Sequence, residues 1–154
     1  MTLLAAAGLF RLGVETAPAA AVPLEPFAFV PAAGQGALAI TVRSEDEATA
    51  ARLAAIDDPV SRRCVEAERA GARVLGGSCH LPVAVHAAEV GGELRVVGLV
   101  AAPDGSRVVR EEASGRADDA ARVGEQLGAR LLAAGGGEIV AAVEADAAGS
   151  RETR

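Results

Sequence analysis

The sequence predicts an α+β fold. A C-terminal three-stranded antiparallel sheet is covered by helices on one face, and a partial α/β domain remnant precedes it. Three observations carry that expectation. β-rich runs at 83–90, 93–102 and 107–114 are separated by Gly91-Gly92 and by Pro103-Asp104-Gly105-Ser106, which is the turn chemistry of a meander. Amphipathic helical patterns flank that meander, at 58–74 before it and at 118–134 after it. Residues 1–43 hold short apolar segments that do not complete a unit of their own.

Taken in order, residues 2–12 are Leu- and Ala-rich and helical, with Gly13 as C-cap and apolar side chains nearly all round except at Arg11. Such a helix expects cover on more than one side, the first sign that the chain is a fragment. Residues 15–26 contain three prolines and form a loop. Phe27–Val30 reads as a short strand ended by Pro31, Gly34-Gln35-Gly36 as a turn, and Ala37–Val42 as an aliphatic strand. The glycines precede that strand instead of leading from it into a helix, so this is no dinucleotide fingerprint. Ser44 with Glu47 three residues later forms a capping box for a connecting helix, 44–56. Asp58 then caps a helix with Pro59 at its first position. That helix places Val60, Cys64, Ala67, Gly71 and Val74 on one apolar face and Arg62, Glu66, Arg69 and Arg73 on a charged row. Residues 57–146 make up the C-terminal unit, with a short last helix from Glu138 to Ala145, and 147–154 read as a disordered tail.

Composition narrows the function classes. Of the 154 residues 51% are apolar, mostly Ala and Val, and the net charge is −6. All fifteen basic residues are Arg. An acidic chain with no basic block argues against nucleic-acid binding, yet it leaves room for a local Arg cluster that takes a small anion. Cys64 and Cys79 make no disulfide framework, and no Cys/His spacing suits a metal. The apolar start reaches Arg11 too soon for a membrane span, which points to a cytoplasmic protein with reduced thiols.

The chain is organised around Gly76-Gly77-Ser78-Cys79-His80-Leu81-Pro82, a turn from the Arg-rich helix into the meander. On spacing alone Cys79 either packs as a small hydrophobe or stands uncrowded at a ligand site. His80 beside it could lower the thiol pKa, although adjacency in sequence does not bring the side chains together.

Five segments together resemble the porphobilinogen deaminase (hydroxymethylbilane synthase) family. They are Leu4-Ala-Ala-Ala-Gly-Leu-Phe-Arg-Leu-Gly13, Pro31-Ala-Ala-Gly-Gln-Gly-Ala37, Ala67-Glu-Arg-Ala70, Gly77-Ser-Cys-His-Leu-Pro82 and Gly98-Leu-Val-Ala-Ala-Pro-Asp-Gly105. Order and nearly all spacing match, over the C-terminal half of the family only. The resemblance implies that Cys79 carries a covalent dipyrromethane cofactor through a thioether, with Gly77 and Ser78 in its turn. It implies extension of that cofactor by four porphobilinogen units with loss of ammonia, then release of hydroxymethylbilane, by a monomeric enzyme of tetrapyrrole biosynthesis. Arg11 and Arg69 resemble carboxylate-binding arginines, a role that suits the guanidinium fork. Gln35 matches the Gln of the family's hinge motif. The catalytic aspartate of the family would lie in its first domain, and this chain has no Asp before Asp46. The expectation is therefore an inactive fragment that keeps the cofactor anchor, or else a binding module derived from it. Gly71 stands where the family has a bulky apolar residue, which predicts looser packing behind the cofactor turn.

Overall fold

The computed structural model describes residues 3–4, 6–14, 21–77 and 80–152, with side chains described as far as residue 147. Its elements are α1 (Ala6–Arg11), α2 (Glu47–Leu53), α3 (Pro59–Val74), β1 (Val83–Val90), β2 (Glu93–Ala101), β3 (Val108–Arg116), α4 (Ala120–Leu131) and α5 (Gly137–Glu152). The three strands form one antiparallel sheet in the order β1-β2-β3, with Val85 opposite Gly98 and Gly98 opposite Glu111. Each strand pairs with its neighbour in sequence, so the two glycine-bearing turns suffice to set the register.

Helices α3 and α4 cover one face, on which Val85, Ala87, Leu94, Val96, Val100, Val109 and Ala113 meet Val123, Leu127 and Leu131. Ile139 and Val140 of α5 close the end of that core. The packing behind the turn is tight, which corrects the expectation raised by Gly71. A Cβ on Gly71 would lie 3.1 Å from the Gly124 carbonyl oxygen, and one on Gly128 would lie 2.9 Å from the Gly71 carbonyl oxygen. A Cβ on Gly124 would land inside the Ala67 carbonyl. Gly71 is therefore half of a small-residue crossing that lets α3 and α4 touch through their backbones. The missing bulk is replaced by proximity.

Among the described residues the opposite sheet face carries no helix. A strap formed by residues 25–34 crosses it instead. The Phe27 ring makes an edge contact with His86, 5.1 Å between centroids, and the Arg95 guanidinium sits 4.4 Å from the ring centroid. Arg110 Nη2 donates to the Phe27 carbonyl at 2.9 Å, and the Val85 N–H donates to the Pro31 carbonyl at 3.0 Å. Val97, in register between His86 and Glu112 on this face, is fully buried.

Four sequence expectations are corrected here. Phe27–Val30 is a turn, since both the Ala28 and Phe29 N–H groups donate to the Glu25 carbonyl. Ala37–Val42 forms no ladder, and Leu38 and Ile40 are exposed. Both segments have strand composition, but a strand exists only against a partner. The cap of α2 is Asp46, whose carboxylate accepts from the Thr49 N–H at 3.0 Å and the Thr49 hydroxyl at 2.8 Å, while Ser44 turns to Glu45. The last helix runs on to Glu152, past the expected end at Ala145, and Gly149 and Ser150 do not end it despite their low helix propensity. The Asp58 cap holds as expected, its carboxylate accepting from the Ser61 N–H at 2.7 Å.

Candidate functional site at the end of α3

Helix α3 ends in a Schellman motif. The Gly77 N–H donates to the Ala72 carbonyl at 2.9 Å and the Gly76 N–H to the Arg73 carbonyl at 3.1 Å. Gly76 (φ 106°) and Gly77 (φ 63°) are both left-handed, a conformation that side chains oppose. A Cβ on Gly76 would also sit 2.9 Å from Leu81 Cδ1, because the chain beyond the turn folds back over it. Ser78 and Cys79 lie outside the described residues; Gly77 and His80 on either side are exposed.

The charged row of α3 faces solvent as expected, with Arg62, Glu66, Arg69 and Arg73 all exposed. Arg62 is occupied by a bidentate pair with Asp57, at 2.9 and 2.6 Å. Arg69 and Arg73 enter no ion pair among the described residues. Arg73 stands against the turn, with its Cγ 3.7 Å from the place of a Gly77 Cβ. Its nearness to the turn was not foreseen, although its position one helical turn before Gly77 was a readable signal.

Sequence reasoning also missed Glu68. It is 6% exposed and is the one buried charged residue among those described. Its Oε2 accepts from the Gly34 N–H at 2.7 Å, and its Oε1 from the Ala87 N–H at 2.9 Å. Nδ1 of His86 lies 3.4 Å from the same Oε1. The available signal was a carboxylate four residues after Cys64 and three before Gly71, on the face that otherwise reads as apolar. Through Glu68 the Gly34-Gln35-Gly36 turn is tied to the helix that carries Arg69. Gln35 is exposed at the tip of that turn, and its N–H donates to the Ala32 carbonyl at 3.0 Å.

Gln35, Arg69 and Gly77 thus belong to one connected body. Arg11 does not join them: it is exposed on α1, and no described hydrogen bond or ion pair ties α1 to that body. Cys64 is half-buried against the core, and burial, followed by the nearby Glu68 carboxylate, pushes its thiol above the ordinary range. Among the described residues no group of three His, Cys, Asp or Glu side chains is placed to hold a metal ion.

Residues 62–133 match the family model described as "Porphobilinogen deaminase, C-terminal domain". Residues 1–51 match the model described as "Porphobilinogen deaminase, dipyromethane cofactor binding domain". A porphobilinogen deaminase of Thiobacillus denitrificans is 48% identical over 143 residues, covering 93% of this chain and 46% of the relative. One of Bordetella parapertussis is 48% identical over 139 residues (90% and 44%), and one of Alkaliphilus metalliredigens is 40% identical over 144 (94% and 45%). The chain spans less than half the length of these relatives. The two models follow one another on it in order, and their boundary falls between the strap turn and the Arg-bearing helix that Glu68 joins. On these grounds the chain belongs to the porphobilinogen deaminase family.

Proposed function

We propose that this chain is the cofactor-anchoring half of a hydroxymethylbilane synthase. In this reading Cys79 holds dipyrromethane through a thioether, and four porphobilinogen units are added to that cofactor with release of ammonia. The carrying observation is that one chain matches both family models in order while α3 carries Arg69 and Arg73, exposed and without an ion pair among the described residues, toward the glycine turn.

The residues present suit the cofactor. Acetate and propionate groups on a pyrrole need cationic partners with paired donors; Arg73 offers a guanidinium fork against the turn, and Arg69 offers a second one further back on the same exposed row of α3. Gly76 and Gly77 put no side chain between that turn and a ligand. Arg11 takes a further carboxylate and Gln35 a polar contact at the opposite turn. When bound, the dipyrromethane would supply the free pyrrole position to which the first unit is joined. General acid–base work and stabilisation of the cationic intermediate fall to the part of the family not covered by this chain, so the 154-residue polypeptide alone does not turn over. The enzyme acts on its small-molecule substrate as a monomer in the cytoplasm. No described helix is long and apolar enough to cross a membrane.

The test is a chimaera in which this chain replaces the matched part of the Thiobacillus denitrificans relative. Porphobilinogen consumption and a dipyrromethane mass increment on the Cys79 peptide are expected, both lost in Cys79→Ser. Turnover with an unmodified Cys79 would overturn the anchor assignment. Consumption by the isolated 154-residue chain would overturn the division of labour.

A further inference from the structure

Glu68 is spent on neither a solvent-facing ion pair nor a described ligand. A buried carboxylate is costly unless its lone pairs are matched, and here both oxygens are used for main-chain N–H groups of two distant segments. Gly34 lies 34 residues before it and Ala87 19 residues after it. One donor belongs to the strap turn that presents Gln35, and the other to edge strand β1. Arg69, the next residue in the chain, points away to solvent. A single helical position therefore fixes the Gly34–Gly36 turn relative to the exposed arginine beside it. Phe27 fastens the same strap further back, so 27–34 is held at both ends.

We propose that Glu68 is a positioning residue that pins the Gln35 turn to the C-terminal domain, so that the strap moves with the Cys79-bearing body although residues 1–51 match the other family model. Its effect on turnover rests on the proposed function, but the pin itself does not. Gln35 and Arg69 are then presented to a bound chain of pyrrole carboxylates as a fixed pair. Loss of the pin leaves both side chains in place and unfixes their separation, which weakens binding more than it slows chemistry.

Amide hydrogen exchange on the 154-residue chain tests the pin, with the β2 amides of Val96 and Val97 as the report on global folding. Gly34 and Ala87 are expected to be protected in the native chain. In Glu68→Ala both should exchange at least about tenfold faster with β2 unchanged, the order expected for losing a hydrogen bond to a charged acceptor. Glu68→Gln keeps one carbonyl acceptor and should fall between them. It also serves as the readout if Glu68→Ala exposes β2. In the chimaera the same variants should raise KM severalfold with a smaller change in kcat. A native Gly34 amide that exchanges freely, or one indifferent to both substitutions, overturns the pin. Gly34 protection that depends on Glu68 in an inactive native chimaera keeps the pin and removes the proposed function instead. A fall in kcat with KM unchanged overturns the positioning role.

Discussion

The Arg95 guanidinium lies 4.4 Å from the centroid of the Phe27 ring. It belongs to β2, whereas Phe27 belongs to a segment outside the sheet, so this contact is one of the fastenings of the strap. Arg110 on β3 reinforces it from the other side through the Phe27 carbonyl. Exposed cation–π contacts contribute about 0.5–1 kcal/mol. Phe27→Ala should therefore lower stability by about 1 kcal/mol in urea unfolding. It should also speed exchange of the Val85 amide, whose acceptor is the strap's Pro31 carbonyl. Unchanged Val85 exchange would show that the strap is held without the ring.

Glu112 ties the two arginines together, accepting from Arg95 at 3.0 and 3.2 Å and from Arg110 at 3.0 Å. The Arg95 hydrogen bond, ahead of the charges of Arg95 and Arg110, holds the Glu112 carboxyl below its ordinary range. A carboxyl whose folded pKa is lowered contributes stability that is fully present above its unfolded pKa of about 4.3. That contribution is lost as pH falls through the lower folded value. The melting temperature of the native chain should thus exceed that of Glu112→Gln by a constant amount from neutral pH down to about pH 5, and the two should converge on further acidification. Arg95 and Glu112 are 58% and 38% exposed, which limits the effect to less than about 1 kcal/mol. A gap that widens at low pH would contradict this account.

How much of this was readable depended on the distance between partners. The meander was legible because Val83–Val90, Glu93–Ala101 and Val108–Arg116 each find their partner in the next segment. Phe27–Val30 and Ala37–Val42 have equally good strand composition, and no local pattern could reveal that neither has a ladder to join. The cap of α2 was misplaced by two residues because Ser44 and Asp46 are both good caps, and the choice rests on side-chain geometry toward Thr49. The glycine turn and the exposed arginines of α3 were legible, since turn chemistry and helical spacing are local. Glu68 was not, because its two partners lie 34 and 19 residues away.

Gly124 is the position where the α3–α4 crossing is least forgiving. Its absent Cβ is replaced by the Ala67 carbonyl, and Ala70 Cβ stands 3.0 Å from the same place. Backbone cannot swing aside as a flexible side chain can, so Gly124→Ala must separate the helices and loosen the core beneath them. A loss of about 3 kcal/mol or more is expected from urea denaturation. Gly71→Ala meets only a 3.1 Å approach to the Gly124 carbonyl, and it recovers about 1 kcal/mol of helix propensity. Its net change should stay within about 1 kcal/mol. If the two variants cost the same, backbone contact is not what sets the helix spacing.

The thiol of Cys64 gives an independent check on the same interior. Half-buried beside the core, it is raised above the ordinary range first by burial and then by the Glu68 carboxylate. The thiolate is the species that reacts, so a raised pKa means slow alkylation at neutral pH and a rate profile displaced upward from the free-thiol value of about 8.5. Iodoacetamide labelling followed peptide by peptide across pH 7–10 resolves Cys64 from Cys79. The Cys64 midpoint should lie above that of a small free thiol. Glu68→Gln should bring it only partway down, because burial is the larger cause and the substitution leaves it in place. Full return to the free-thiol value in Glu68→Gln would make charge the main cause, and labelling of native Cys64 at the free-thiol rate would mean that the α3 face is open where the core contacts say it is closed.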